Sequence, residues 1–306
     1  MNRITGVLSP VVTPFSEDLL PDADRLARHC RWLLRNGVGL AVFGTNSEAN
    51  SLAASERIAL LDRLCESDID PGRMMPGTGC CALTDSVRLT SHAVQRGCAG
   101  VLMLPPFYYK GVSDDGLFAS YAEVIERVGD DRLRIYLYHI PQVSNVPITL
   151  ALIERLLKAY PRNIAGIKDS SGDWNNTKGM LDRFAAQGFD VFAGSETFLL
   201  ANMRGGGKGC ISATANVNPA AIHALYEHWR QHDAEAVQAR LDAVRLAFQR
   251  YPMIPALKAA VARYGDDPGW ARVRPPLVQL DAAQARSLGE DLDKLAFSMP
   301  GLEPAS

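Results

Sequence analysis

The segment IAGIKDSSGD, residues 164 to 173, begins as a short apolar strand and ends in a lysine followed by small polar residues. Lys168 therefore stands where a buried strand meets a polar turn. Burial in apolar surroundings disfavours the ammonium form of a lysine and leaves a nucleophilic amine. Such an amine condenses with a ketone to an iminium, an electron sink that lets a neighbouring carbon lose or gain a proton or a carbon substituent. A phenol could carry the protons that forming and breaking the carbinolamine requires. Tyr138 in RIYLYHIP is the candidate, with Thr45 in GTNSE as a hydroxyl that orients it and Tyr108-Tyr109 in PPFYY close by in the reading. The carboxylate of a 2-oxo acid would be held by backbone N–H groups and short polar side chains in the turn after the second strand. Taken alone, Lys168 reads equally well as a lysine that snorkels to solvent. Its company at the other strand ends favours chemistry.

Elements that bring these residues together are written in the hydrophobic pattern. Apolar β-rich runs alternate with helical periodicity: Gly6 to Val12, then GLAVFG at 39 to 44, MMPGTG at 74 to 79, AGVLMLPP at 99 to 106, RIYLYHIP at 134 to 141, NIAGIK at 163 to 168, DVFAGS at 190 to 195 and GCISAT at 209 to 214. A helical pattern follows each run; one of them, ASERIALLDRLCES, is expected to start from Ser55 with a glutamate next to it. Alternation of this kind predicts a parallel sheet, and unbroken apolar strands predict burial on both faces. Eight units match an α/β fold of the (β/α)8 TIM-barrel type, whose usual size is about 250 residues. A doubly wound open sheet is disfavoured, because no GxGxxG follows the first strand. Residues 1–232 are read as the barrel and 233–306 as a C-terminal helical extension packed on it in the same structural unit. In a barrel, Lys168, Tyr138, Thr45 and Tyr108 would all lie at the C-terminal mouth, where active sites of this fold are found.

Composition removes several function classes. The 306 residues are 47% hydrophobic and 22% charged with a formal net charge of −2, which gives no basic footprint for nucleic acid. The N-terminal MNRITGVLSPVVTPF is too short in its apolar part to be a signal peptide, and no apolar run of about 18 residues offers a membrane span. A cytoplasmic protein is expected. Six cysteines without CxxC spacing argue against a metal or a disulfide framework, and no cofactor is expected. The glycine run in MRGGGKGC precedes the last strand and reads as a helix stop and tight turn, not a phosphate cradle. His139 should point away from the barrel axis by strand alternation. His223, His228 and His232 share one outer helix and read as solvent or packing positions, and Asp173 reads as the cap of the helix after Lys168.

With TPF (13 to 15), GTNSE (44 to 48), PPFYY (105 to 109), YHIP (138 to 141), GIKDSSGD (166 to 173) and ISATANV (211 to 217) in order, the sequence resembles the dihydrodipicolinate synthase and N-acetylneuraminate lyase family of pyruvate-dependent class I aldolases. The resemblance implies Lys168 as the Schiff-base lysine, Tyr138 as the proton-shuttling tyrosine and Thr45 as the hydroxyl linking it to Tyr108. It further implies that Tyr108 acts across a tight dimer interface within a homotetramer built as a dimer of dimers. Thr45 and Asn46 match the pair that binds the pyruvate carboxylate, and Ser47, Ser170, Gly194, Glu196, Ile211 and Val143 fall at the substrate-binding positions. Three departures bear on the substrate. Val143 stands where the synthase branch carries an arginine for its second substrate, which argues against dihydrodipicolinate synthase itself. Glu196, Thr197 and Ala213 replace the sugar-binding set of the sialic-acid lyases, and Asn46-Ser47 replaces the usual residues of the carboxylate turn. The expected activity is a Schiff-base lyase or aldolase acting on a small 2-oxo acid, with pyruvate as donor or product. A dehydratase of a 2-keto-3-deoxy sugar acid and a non-catalytic 2-oxo acid binding protein remain the alternatives.

Overall fold

A computed structural model describes residues 3–303. It has seven strands: β1 (Gly6–Ser9), β2 (Gly39–Leu40), β3 (Val101–Met103), β4 (Ile135–His139), β5 (Ile164–Asp169), β6 (Asp190–Ala193) and β7 (Gly209–Ile211). The chain forms two compact units, one of Asp70–Ile211 with the N-terminal residues through Thr5, the other of Gly6–Ile69 with the chain from Ser212 onward.

In the first unit β3 to β7 pair in sequence order, every pairing parallel. All five strands are buried along their whole length, so each needs apolar residues on both faces, which is why they read as unbroken hydrophobic runs. Helices Asp114–Val128, Leu150–Ala159 and Trp174–Phe184 connect them, and Ser113, Thr149 and Asp173 cap their first turns through their side chains. Asp173 thus has the expected role. The expected strand at 74 to 79 is buried but reduces to isolated bridge residues, Met74 and Gly77, the latter paired with Leu102. Pro76 contributes only its carbonyl, which accepts from Leu102 N at 2.9 Å, and a proline without an N–H cannot continue a ladder. Hence seven regular strands are found where eight were expected. In the glycine run, Gly205 closes helix Leu199–Arg204 and Gly206 takes φ 88°, the helix stop and turn read from the sequence.

In the second unit β1 and β2 pair in parallel, Leu8 opposite Gly39 and Ser9 opposite Leu40. Both are shorter than expected. β1 stops at Ser9 because Pro10 has no N–H to donate, and the side chain of Asn216 takes over the backbone beyond it. Its amide oxygen accepts from Val12 N at 2.9 Å, and its nitrogen donates to Pro10 O at 3.2 Å and Ala213 O at 2.9 Å. β2 stops at Leu40, and the chain turns through Phe43 at φ 62° before the GTNSE segment. Helix Ala54–Glu66 has Ala53, not the expected Ser55, as its cap, and Glu56 accepts the Ala53 N–H at 2.8 Å. Helices Pro219–His228, Ala234–Gln249, Met253–Tyr264 and Ala282–Lys294 complete this unit. No described helix is long and apolar enough to cross a membrane.

Candidate active site

β5 carries Lys168 at its next-to-last position, in register with Tyr138 of β4. Lys168 is 4% exposed and Tyr138 3%, and the lysine Nζ lies 4.3 Å from the centroid of the tyrosine ring. The lysine therefore does not snorkel to solvent. An amine over a phenol ring in a buried place is the pairing that imine chemistry with a nearby acid and base calls for.

The following residue on each strand faces the other way. His139 and Asp169, again in register, meet with His139 Nδ1 3.1 Å from Asp169 Oδ1. Asp169 also accepts from Ser171 N (3.0 Å), Ser171 Oγ (3.0 Å), Asn176 Nδ2 (3.1 Å) and Thr177 Oγ1 (2.6 Å). Burial alone would raise its pKa, but the hydrogen bonds from His139, Thr177 and Ser171 N outweigh it and hold the carboxyl below its usual range. Asp169 is thus a fixed anion that ties β4 and β5 to the helix behind them. His139 points away from Tyr138 and Lys168, as expected.

Beyond Lys168 the chain is gripped from both sides. Ser170 N donates to His139 O at 2.7 Å, and Gly194 N donates to Asp169 O at 2.7 Å. A Cβ on Gly194 would come within 2.1 Å of Ser170 Oγ and 2.7 Å of Asp169 O, so only glycine allows β6 to close on this turn. Ser170 and Gly194 are therefore neighbours. Glu196, 1% exposed, starts the turn Glu196–Phe198 two residues on, and Ile211, fully buried, ends β7. Gln142 donates to Ser170 O from the short helix Pro141–Ser144, on which Val143 is 58% exposed. Tyr108 and Tyr109 are 73% and 72% exposed, their rings edge to face at 5.3 Å. In this chain Tyr108 is a surface residue.

Thr45, Asn46 and Ser47 lie in a tight turn in the second unit. The sequence pattern places Thr45 at the close of the second strand; it stands instead five positions past the last residue of β2. The turn is knotted by Ser47 N to Gly44 O (3.1 Å), Glu48 N to Thr45 O (3.1 Å) and Thr13 Oγ1 to Ser47 O (2.7 Å). Ser47 is fully buried and its hydroxyl accepts from Gly44 N at 3.2 Å, so it shapes the turn, while Thr45 and Asn46 stay partly exposed. Two residues that the sequence reading passed over hold this turn. Glu48 and Lys258 form a fully buried ion pair at 2.5 Å, and the Glu48 backbone sits at φ 56°. Burial pushes the Lys258 ammonium down to about 8 against the pull of Glu48. A lone lysine in the apolar helical run IPALKAAVARY was the available signal.

A parallel α/β chain with a buried strand-end lysine set against a tyrosine has the makings of an imine-forming lyase. In comparison with known proteins, the model of the dihydrodipicolinate synthetase family matches residues 3–295. The chain belongs to this family, and it is an enzyme of the lyase type. A DapA-like lyase of Chloroflexus aurantiacus is 34% identical over 98% of both chains, and a 4-hydroxy-tetrahydrodipicolinate synthase of Methanococcoides burtonii is 29% identical over 95% of this chain and 98% of its own. Among solved structures, dihydrodipicolinate synthase from Agrobacterium tumefaciens superposes with TM-score 0.88 at 31% identity over 95% of this chain and 99% of that one. YagE, a prophage protein of the same family from E. coli K12 solved in complex with pyruvate, gives TM-score 0.87 at 28% identity over 96% and 99%.

Proposed function

We propose that the chain is a (β/α)8 barrel over residues 1–232 with residues 233–306 as its helical extension, and that it cleaves or forms a C–C bond of a 2-oxo acid through an iminium on Lys168. The observation that carries this reading is the buried Lys168 Nζ 4.3 Å from the Tyr138 ring centroid. In the cleavage direction the Lys168 amine adds to the C2 carbonyl, and Tyr138 supplies the protons by which the carbinolamine loses water. The C4 hydroxyl then loses its proton, the C3–C4 bond breaks, the aldehyde leaves, and the bonding pair passes into the iminium to give an enamine. Protonation at C3 and hydrolysis release pyruvate and the free amine. Thr45 orients Tyr138, Thr45 and Asn46 hold the substrate carboxylate, and Tyr108 serves from a neighbouring subunit of a cytoplasmic homotetramer. Ser170, Gly194, Glu196 and Ile211 line the remaining substrate positions, and Ser47 supports the turn. The pyruvate bound by the relative from E. coli supports pyruvate as donor or product here.

Val143, largely exposed, supplies no cation for a second carboxylate, so the synthase reaction is disfavoured. A dehydratase would use the same iminium to expel water. Pyruvate release assayed over a panel of 2-keto-3-deoxy sugar acids separates the two: pyruvate with at least one substrate is expected. Turnover without pyruvate from every active substrate would replace the aldolase reading with the dehydratase. A non-catalytic binder would keep its affinity for 2-oxo acids in Lys168→Ala and turn over none of them.

A further inference from the structure

The second unit holds a buried ion pair, Glu48 with Lys258, whose carboxylate partner directly follows the turn assigned to the substrate carboxylate. Lys258, fully buried on helix Met253–Tyr264, places its Nζ 2.5 Å from Glu48 Oε1 and 4.5 Å from the centre of the Phe15 ring. The second carboxylate oxygen accepts from Arg274 N at 2.9 Å. The guanidinium of Arg274 lies 4.9 Å from the other partner of Lys258, the Phe15 ring. It donates to Ser51 O at 2.7 Å, to Leu19 O at 2.8 Å, and in fork fashion to Glu56 at 2.6 and 2.9 Å. Glu56 in turn accepts the N–H of Ala53. The segment from Glu48 to Glu56 is thus held at both ends by residues more than 200 positions later in the chain.

Its upstream end is the point of interest. Glu48 adopts a left-handed backbone, a conformation unfavourable for a residue with a Cβ, and in that conformation its N–H bonds to Thr45 O. Without a grip on the Glu48 side chain the backbone would relax toward commoner conformations, and the Thr45 and Asn46 groups would lose their fixed direction. A complete buried ion pair is a poor source of stability compared with an apolar pair of the same volume, but it does impose one geometry.

We propose that Glu48, Lys258 and Arg274 are positioning residues that clamp the Thr45–Ser47 turn, so that recognition of the substrate carboxylate depends on the C-terminal helical region. The inference rests on the reading of Thr45 and Asn46 as the carboxylate-binding pair. It places the effect of the clamp on substrate affinity and not on the amine that reacts.

The test measures the pyruvate concentration that gives half-maximal borohydride trapping on Lys168, together with the extent of trapping at saturation, in the full chain. Lys258→Met leaves a buried carboxylate unpaired and risks the fold, so the informative variant is the double one, Glu48→Gln with Lys258→Met, which removes both charges. Arg274→Lys is the second variant; it keeps the charge and loses the fork to Glu56. The double variant is expected to need about tenfold more pyruvate or beyond, and Arg274→Lys several-fold more, with saturating trapping on Lys168 unchanged. Half-trapping within about twofold of the wild type in a folded double variant, or in Arg274→Lys if the double variant fails to fold, would overturn the positioning role. Absence of any adduct in the wild type would instead overturn the pyruvate reading, and this role with it.

Discussion

At the scale of single residues the proposed reaction rests on two side chains. Lys168→Ala is expected to abolish both turnover and covalent trapping. Tyr138→Phe is expected to keep the adduct but lower kcat by about 10²- to 10⁴-fold, the usual contribution of one general acid and base, with little change in KM. Steady-state kinetics with the substrate found in the pyruvate-release panel would measure this split, and an unchanged kcat would remove Tyr138 from the chemistry. Lys168 was legible in the sequence because its signal is local: an apolar run that ends on a lysine says where the amine must lie. The partners of Asp169 were not legible, since His139, Asn176 and Thr177 reach it only once β4, β5 and the next helix are assembled. Glu48 and Lys258 are 210 positions apart, and no spacing rule connects them.

At the scale of elements, the turn after β5 owes its form to β6. Gly194→Ala would drive a methyl group into Ser170 and the Asp169 carbonyl; the Ser170 hydroxyl could rotate away, but Ser170 Cα and Asp169 O are backbone and cannot step aside. A loss of about 1–3 kcal/mol in urea unfolding is expected, together with weaker pyruvate trapping because Ser170 and the residues beside Lys168 must move. Full trapping at wild-type pyruvate concentrations would show that this turn tolerates displacement. Asp173→Ala removes only the cap of helix Trp174–Phe184, where Asp173 accepts from Asn175 N at 2.9 Å, and should cost about 1 kcal/mol without affecting trapping. The helices were readable because caps and periodicity are local. The lengths of the strands were not: a hydrophobic run shows that a segment is buried, but prolines at 10 and 76 and the left-handed Phe43 decide where pairing stops.

At the scale of the whole molecule, one contribution to stability toward acid comes from a histidine buried in neutral form. His29 stacks on Trp32 and lies tilted against Trp270, with ring centroids 5.5 and 5.0 Å away, and burial pushes its imidazole down to about 4. Because the folded value lies below the unfolded one, the unfolded chain takes up a proton first as the pH falls. The stabilisation is complete above about 6.5 and is lost as the pH drops toward 4. For this one group the loss is about 2 kcal/mol at pH 5. His29→Phe keeps the stacked ring and removes the titration, so the difference in urea unfolding free energy between pH 7 and pH 5 should shrink by about that amount. An unchanged difference would show that His29 does not drive the acid loss. The most direct measurement of the chemistry at Lys168 is borohydride reduction of the intact protein in pyruvate, followed by whole-protein mass and peptide mapping. One reduced pyruvate per chain, on Lys168, is the predicted result; a folded protein with no adduct, or with the adduct on another lysine, would contradict it.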